Sequence, residues 1–335
     1  ALDKLDELFE LKPYQSQAVL LEAKILLTEG AKTPYARLQR ALQENPGDQR
    51  LRLQYARLLT TTDMTAAREQ FEILSAQSPR DGDLLLSLAL INREIGDDIA
   101  ASAYLRQMLA LDQRVDEAHY YLGRIAEEDS NPGEAIAHYE QVRDGREFLS
   151  ANNRIGYLLI STGQLERNHH WFDQQREANP GRREQLYSLE ADLLIQAGAT
   201  DAALQVLNQA LAETPEAAGL LYARSMLSEQ QGDLGQMERD LRRIIASDPD
   251  NATALNALGY TLANRTERYT EAFELVSRAL ELQPDEPAIL DSMGWVLYRT
   301  GRYEEAVDYL TRAYAAFPDP EVAAHLGEVL WITGD

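Results

Sequence analysis

Proline recurs at nearly constant intervals along this chain, and this spacing constrains the fold more than any other feature. The series consists of Pro13, Pro46, Pro79, Pro180, Pro215, Pro249, Pro284 and Pro318. Successive members are 33, 33, 101, 35, 34, 35 and 34 residues apart, and the longest gap corresponds to three periods. A period near 34 residues indicates an array of similar structural units rather than one globular core.

Small residues keep the same period as the prolines. They are Ala56, Ala89, Gly123, Gly156, Ala191, Ser225, Gly259, Gly294 and Gly327. In the most regular unit, apolar residues fall at three- and four-residue steps over 288–299 and again over 305–317, which predicts two amphipathic helices. Gly294 and Ala306 lie where these helices are expected to cross, Gly301 allows the tight turn between them, and Pro318 ends the second helix.

The order of small residue, glycine, alanine and proline within each period resembles the tetratricopeptide repeat (TPR) family. The resemblance implies an all-α TPR solenoid, a right-handed superhelix of antiparallel helix pairs, each with a helix A and a helix B. We expect one array over residues 1–335, with nine full repeats at 14–318. Residues 1–13 then form a half repeat (helix B) and 319–335 another (helix A), as expected of a segment of a longer array.

Composition excludes several classes of function. The 335 residues include 55 acidic and 32 basic side chains, so the net charge of −23 disfavours binding to nucleic acid. The same charge is also explained by the solubility of a highly exposed solenoid. No cysteine is present, which excludes disulfides and thiolate metal sites. The sequence shows neither a signal peptide nor a membrane span.

No catalytic or metal-binding motif occurs in the chain. Nucleophile-elbow, zinc-protease and phosphate-loop patterns are absent. Adjacent His169 and His170 point in different directions on a helix, while His119, His138 and His325 belong to other repeats. We therefore predict a protein that is not an enzyme and that has no cofactor and no metal site.

One region departs from the repeat pattern. Asp144, Gly145 and Arg146 stand where a repeat-ending proline is expected, and the segment 168–172, with the sequence NHHWF, replaces the usual Ala and Leu. Two interpretations remain open: an irregular packing interface within the array, or a patch that binds a partner.

The TPR resemblance also implies which side chains line the concave, ligand-binding face formed by the A helices. They are Tyr120, Arg124, Asn153, Tyr157, Asp192, Tyr222, Asn256, Tyr260, Asp291, Trp295, Tyr298, Arg299 and Trp331. Tyr and Trp provide large contact areas and Asn can bond both groups of a peptide unit. Because these positions face away from the paired helix B, we expect the rings of Tyr260 and Trp295 to contribute little to the core.

The segments Asn256–Tyr260 and Asp291–Tyr298, followed by RTGRY at 299–303, resemble envelope TPR lipoproteins of proteobacteria. Among them are outer-membrane-tethered adaptors of carboxyl-terminal processing proteases. The resemblance implies an adaptor that presents peptidoglycan hydrolases to such a serine protease, a periplasmic location and a lipid anchor, with a cytoplasmic location as the alternative. Two alternative functions remain: a regulatory TPR region of a larger enzyme, or an assembly factor for a pilus or secretion machine.

Overall fold

The structure is a computed structural model that describes residues 2–334, without the side chain of Asp3, as an array of short helices. No strand occurs within those residues, so the all-α prediction is confirmed. The helices form two compact units, residues 1–158 and 159–335. The handedness of the predicted superhelix and the division into nine full repeats stay predictions.

The helices that begin in the first unit are α1 (Leu2–Leu11), α2 (Ser16–Thr28), α3 (Ala36–Glu44), α4 (Gln49–Leu59), α5 (Met64–Gln77), α6 (Gly82–Glu94), α7 (Asp98–Ala110), α8 (Val115–Glu128), α9 (Pro132–Tyr139) and α10 (Phe148–Ser161). Neighbouring helices such as α4 and α5, α6 and α7, or α8 and α9 pack closely in pairs. Each pair buries the apolar stripe that its sequence period predicts.

The helices that begin in the second unit are α11 (Leu165–Ala178), α12 (Arg183–Gln196), α13 (Thr200–Glu213), α14 (Ala218–Gln230), α15 (Leu234–Ser247), α16 (Ala252–Arg265), α17 (Tyr269–Leu282), α18 (Pro287–Arg299), α19 (Tyr303–Ala316) and α20 (Pro320–Thr333). A 3₁₀ turn at Pro180–Arg182 precedes α12. The closest pairs are α12 with α13, α14 with α15, α16 with α17 and α18 with α19.

The pair α18 and α19 shows why small residues recur. A Cβ atom placed on Gly294 would lie 2.5 Å from Cγ of Leu310 and 3.2 Å from the carbonyl oxygen of Ala306. The helices cross where only a hydrogen atom fits between them. Gly301 then takes a φ of +78° in the connecting turn, and Arg302 N–H donates to Leu297 O at 2.9 Å, so the chain reverses within a few residues.

The irregular region is built from polar contacts. After α9 ends at Tyr139, the amides of Arg143 and Asp144 donate to Oδ1 of Asp116, which holds the chain without a repeat-ending proline. Further on, the buried guanidinium of Arg176 donates to the buried Glu190 carboxylate at 2.6 Å. This segment therefore contributes to packing between α11 and α12.

Candidate protein-binding groove

The second unit contains a cavity of about 760 Å³ on the face formed by its A helices α14, α16, α18 and α20. Its lining includes Tyr222 and Met226 of α14, Asn256 and Tyr260 of α16, and Phe317, just after α19. We call this cavity the groove. Successive A helices place side chains from equivalent positions next to one another, so a recurring polar or aromatic residue in the sequence becomes a continuous surface.

Four of the thirteen predicted site residues line the groove together: Tyr222, Asn256, Tyr260 and Asp291. Asn256 is the one whose hydrogen bonding is incomplete. Its Oδ1 atom is buried and has no hydrogen-bond partner among residues 2–334. A buried amide oxygen without a donor carries a free-energy cost, so the amide of Asn256 is a point of incomplete hydrogen bonding in the groove lining.

Tyr260 links two helices that are not neighbours in the chain. Its hydroxyl donates to Oε1 of Glu321 on α20 at 2.7 Å, across a separation of 61 residues. Burial and, second, this hydrogen bond raise the pKa of Tyr260 far above its usual value, so the phenol stays protonated and remains a donor. This hydrogen bond therefore ties α16 to α20 within the groove lining.

Asp291 and Trp295 differ from the prediction that the concave series lies outside the core. The indole of Trp295 is only 7% exposed and stacks on the imidazole of His325 with ring centroids 4.2 Å apart. The carboxylate of Asp291, also 7% exposed, is hydrogen-bonded to Nδ1 of His325 at 2.9 Å. The expectation that Trp295 contributes little to the core is wrong, because this position faces away from helix B and directly into the next helix A.

The other predicted residues of α18 and α20 lie outside the groove lining. Tyr298 donates to Glu328 at 2.8 Å, and Arg299 donates to the hydroxyl of Tyr269 at 2.8 Å. Trp331 is 85% exposed on α20. The structure shows no ligand role for these three side chains, and their predicted role stays a prediction.

The remaining predicted residues are divided between the two units. Tyr120, Arg124, Asn153 and Tyr157 lie in the first unit; there Arg124 donates to Glu128 at 3.2 Å, and the guanidinium of Arg154 lies 4.7 Å from the Tyr157 ring centroid. Asp192 is exposed on α12 and is not part of the groove lining. None of these five belongs to the groove lining, and their binding role also stays a prediction.

Sequence reasoning missed the groove residues that precede or follow helices. They are Glu286, Asp319 and Glu321 at helix N-termini, Phe317 in the α19–α20 connection, and Glu229 with Arg265 near helix C-termini. These positions lie at or near helix ends, outside the helical spacing from which the concave series was inferred. The acidic residues that flank the recurrent prolines were the available signal.

Among residues 2–334, no group of three or more His, Asp or Glu side chains is arranged to hold a metal ion. None of the helices described there combines the length and apolarity that crossing a bilayer requires.

Known proteins resemble this chain in its repeats. Models described as tetratricopeptide repeat match residues 248–319, and also 98–153 and 188–236. The TPR repeat-containing protein PA4667 of Pseudomonas aeruginosa is 49% identical over 214 residues, which is 64% of this chain and 36% of that protein. The chain thus spans about a third of the length of that relative.

Solved structures give more distant similarities. YrrB, described as a TPR protein with an unusual peptide-binding site, is 20% identical over 57% of this chain and 96% of its own, with a TM-score of 0.42. The MamA protein is 18% identical over 51% of this chain and 92% of its own, with a TM-score of 0.41.

Proposed function

Because the chain belongs to the tetratricopeptide repeat family, we propose that it is a non-catalytic scaffold that binds a segment of a partner protein in the groove. One observation carries the proposal: Tyr222, Asn256 and Asp291, from equivalent positions of successive A helices, line one cavity large enough for several side chains of a peptide. The side-chain amide of Asn256 can bond the groups of a peptide unit, and the ring of Tyr222 offers contact area.

We further propose the adaptor role for this scaffold. In that role the protein is an outer-membrane lipoprotein. It holds a periplasmic carboxyl-terminal processing protease together with the peptidoglycan hydrolases that the protease cleaves. The support is the resemblance of Asn256–Tyr260 and Asp291–Tyr298 to envelope TPR lipoproteins. An adaptor acts by raising the effective concentration of substrate beside the enzyme to about millimolar, without catalytic groups of its own.

The test combines binding with cleavage. The chain is mixed with a candidate processing protease and a hydrolase substrate, and co-elution on gel filtration and the cleavage rate are measured. We expect co-elution and faster cleavage with the chain present, and no cleavage by the chain alone. Unchanged cleavage without co-elution would refute the adaptor role.

Variants then locate the binding site. Tyr222→Ala with Asn256→Ala removes the ring and the amide from the groove, and we expect at least about a tenfold loss of partner affinity. Tyr314→Ala on α19 is the matched control, because this tyrosine is 42% exposed and not part of the groove. Circular dichroism is the control that checks whether both variants are folded. Normal partner binding by the folded groove variant would place recognition elsewhere.

A further inference from the structure

The groove carries an excess of negative charge. Its charged lining consists of Glu229, Arg265, Glu286, Asp291, Asp319 and Glu321. Two of the carboxylates already contact a basic side chain: Glu229 pairs with Arg265 at 2.8 Å, and Asp291 is hydrogen-bonded to His325. Three carboxylates remain to interact with whatever occupies the groove.

These three, Glu286, Asp319 and Glu321, have no basic side chain within ion-pair distance among residues 2–334. Their hydrogen bonds leave most of their acceptor sites open, since Asp319 accepts only the amide of Glu321 at 2.8 Å and Glu321 accepts only the hydroxyl of Tyr260. By contrast, the half-buried Glu238 and Glu271 of the B helices α15 and α17 are paired with Arg242 and Arg268.

Apolar surface lies beside these carboxylates in the same groove. Phe317 is 59% exposed, and Tyr222 and Tyr260 present partly exposed rings. Lys and Arg side chains suit such a surface, because their aliphatic stems pack on rings while their charged ends reach the carboxylates. The side-chain amide of Asn256 in the same lining can also bond a peptide group, independently of charge.

We propose that the groove selects protein segments that carry Lys or Arg side chains, with Glu286, Asp319 and Glu321 as the residues that determine this specificity. The inference rests on the proposed function, because it concerns the same groove. Acidic segments are excluded by repulsion, so the charge acts as a filter as well as an attraction.

The experiment uses short fluorescein-labelled peptides that are identical except for Lys, Gln or Glu at the same positions, with affinity measured by fluorescence polarisation. We expect the Lys peptide to bind most tightly and its affinity to fall as salt is raised. Glu286→Gln with Glu321→Gln should weaken the Lys peptide about five- to tenfold and leave the Gln peptide unchanged. Glutamine keeps an oxygen that can accept the Tyr260 hydroxyl.

A matched control separates the groove from the general negative charge of the chain. Glu274→Gln with Glu304→Gln makes the same change in net charge at exposed positions of α17 and α19, outside the groove. We expect this control to bind the Lys peptide as tightly as the unmodified chain at moderate salt. An equal loss in the control and the groove variant would overturn the proposal, because the attraction would then be non-specific.

Equal affinity for the three peptides, or no binding of any of them, would also overturn the proposal. The proposed function fails separately, because Tyr222→Ala with Asn256→Ala changes no charge. Partner binding that depends on Tyr222 and Asn256 but not on Glu286 and Glu321 refutes only the charge selection. Partner binding that depends on neither pair refutes both.

Discussion

Replacement of Gly294 by alanine tests the packing of the helix pairs most directly. The added methyl carbon would lie 2.5 Å from Cγ and 3.0 Å from Cδ2 of Leu310, whose side chain is fully buried and cannot swing into solvent. Backbone is close as well, with the carbonyl oxygen of Ala306 at 3.2 Å. The helices α18 and α19 must therefore move apart to accept the substitution.

Two effects of opposite sign determine the magnitude. Overpacking of a well-packed core costs about 1–3 kcal/mol. Alanine in a helix interior gains about 1 kcal/mol over glycine. With a contact as short as that to Leu310, the packing cost should lie in the upper part of its range, so we expect Gly294→Ala to lower the free energy of unfolding by about 1–2 kcal/mol.

Gly327 provides the matched control, because it occupies the equivalent position of α20. A Cβ atom there would meet nothing within 4 Å. Only the helix-propensity gain remains, so Gly327→Ala should raise local stability by up to about 1 kcal/mol. The same chemical change is thus expected to have opposite signs at two positions one repeat apart.

The assay is amide hydrogen exchange of α18, α19 and α20, combined with urea unfolding followed by circular dichroism. Exchange is needed because the stability of a repeat array is approximately a sum over neighbouring units, and a global transition would average the local effect. If the amides of α18 exchange no faster in Gly294→Ala than in the unmodified chain, the close approach of the helices is refuted.

Three further expectations concern side chains that are buried or half-buried. Trp295→Ala should destabilise the second unit by about 3 kcal/mol, as judged by urea unfolding, and an unchanged midpoint would mean that the ring is not core. His119 and His138 are hydrogen-bonded at 3.1 Å, and burial lowers the pKa of both. The unfolded state therefore takes up protons first. The stability that these two histidines contribute should be fully present above about pH 6.5 and be lost as pH falls below it. Replacing both with Gln should flatten the dependence of the unfolding free energy on pH. Arg176→Met leaves the Glu190 carboxylate buried without its cation and should cost about 3 kcal/mol or more in chemical unfolding, whereas a smaller effect would indicate that water enters the site.

The sequence predicts the helix pairs well because the crossing residues have one physical requirement. Gly294 and Ala306 must be small wherever two helices touch, so the requirement repeats with the period and is visible without coordinates. The same holds for Tyr222, Asn256 and Asp291, which occupy corresponding positions on α14, α16 and α18 and meet in the groove.

The rest of the site depends on neighbours that the period does not specify. Trp295 is buried because His325 of the following helix stacks on it, and a pattern within α18 alone cannot show this. Glu286 and Asp319 enter the groove because they immediately precede A helices, where loop conformation decides the direction of the side chain. The sequence shows that these residues are acidic, but it does not predict that their side chains enter the groove.

The hydrogen bond between Tyr260 and Glu321 joins α16 to α20 and passes over α18. A solenoid bends through small rotations between successive repeats, so a link that skips one repeat restrains two of these rotations together. Glu321 is also one of the carboxylates that we propose for a basic ligand. A ligand that uses the acceptor sites left open on this carboxylate adds a third group to the link between α16 and α20, so the stiffness of the second unit would change when the groove is filled.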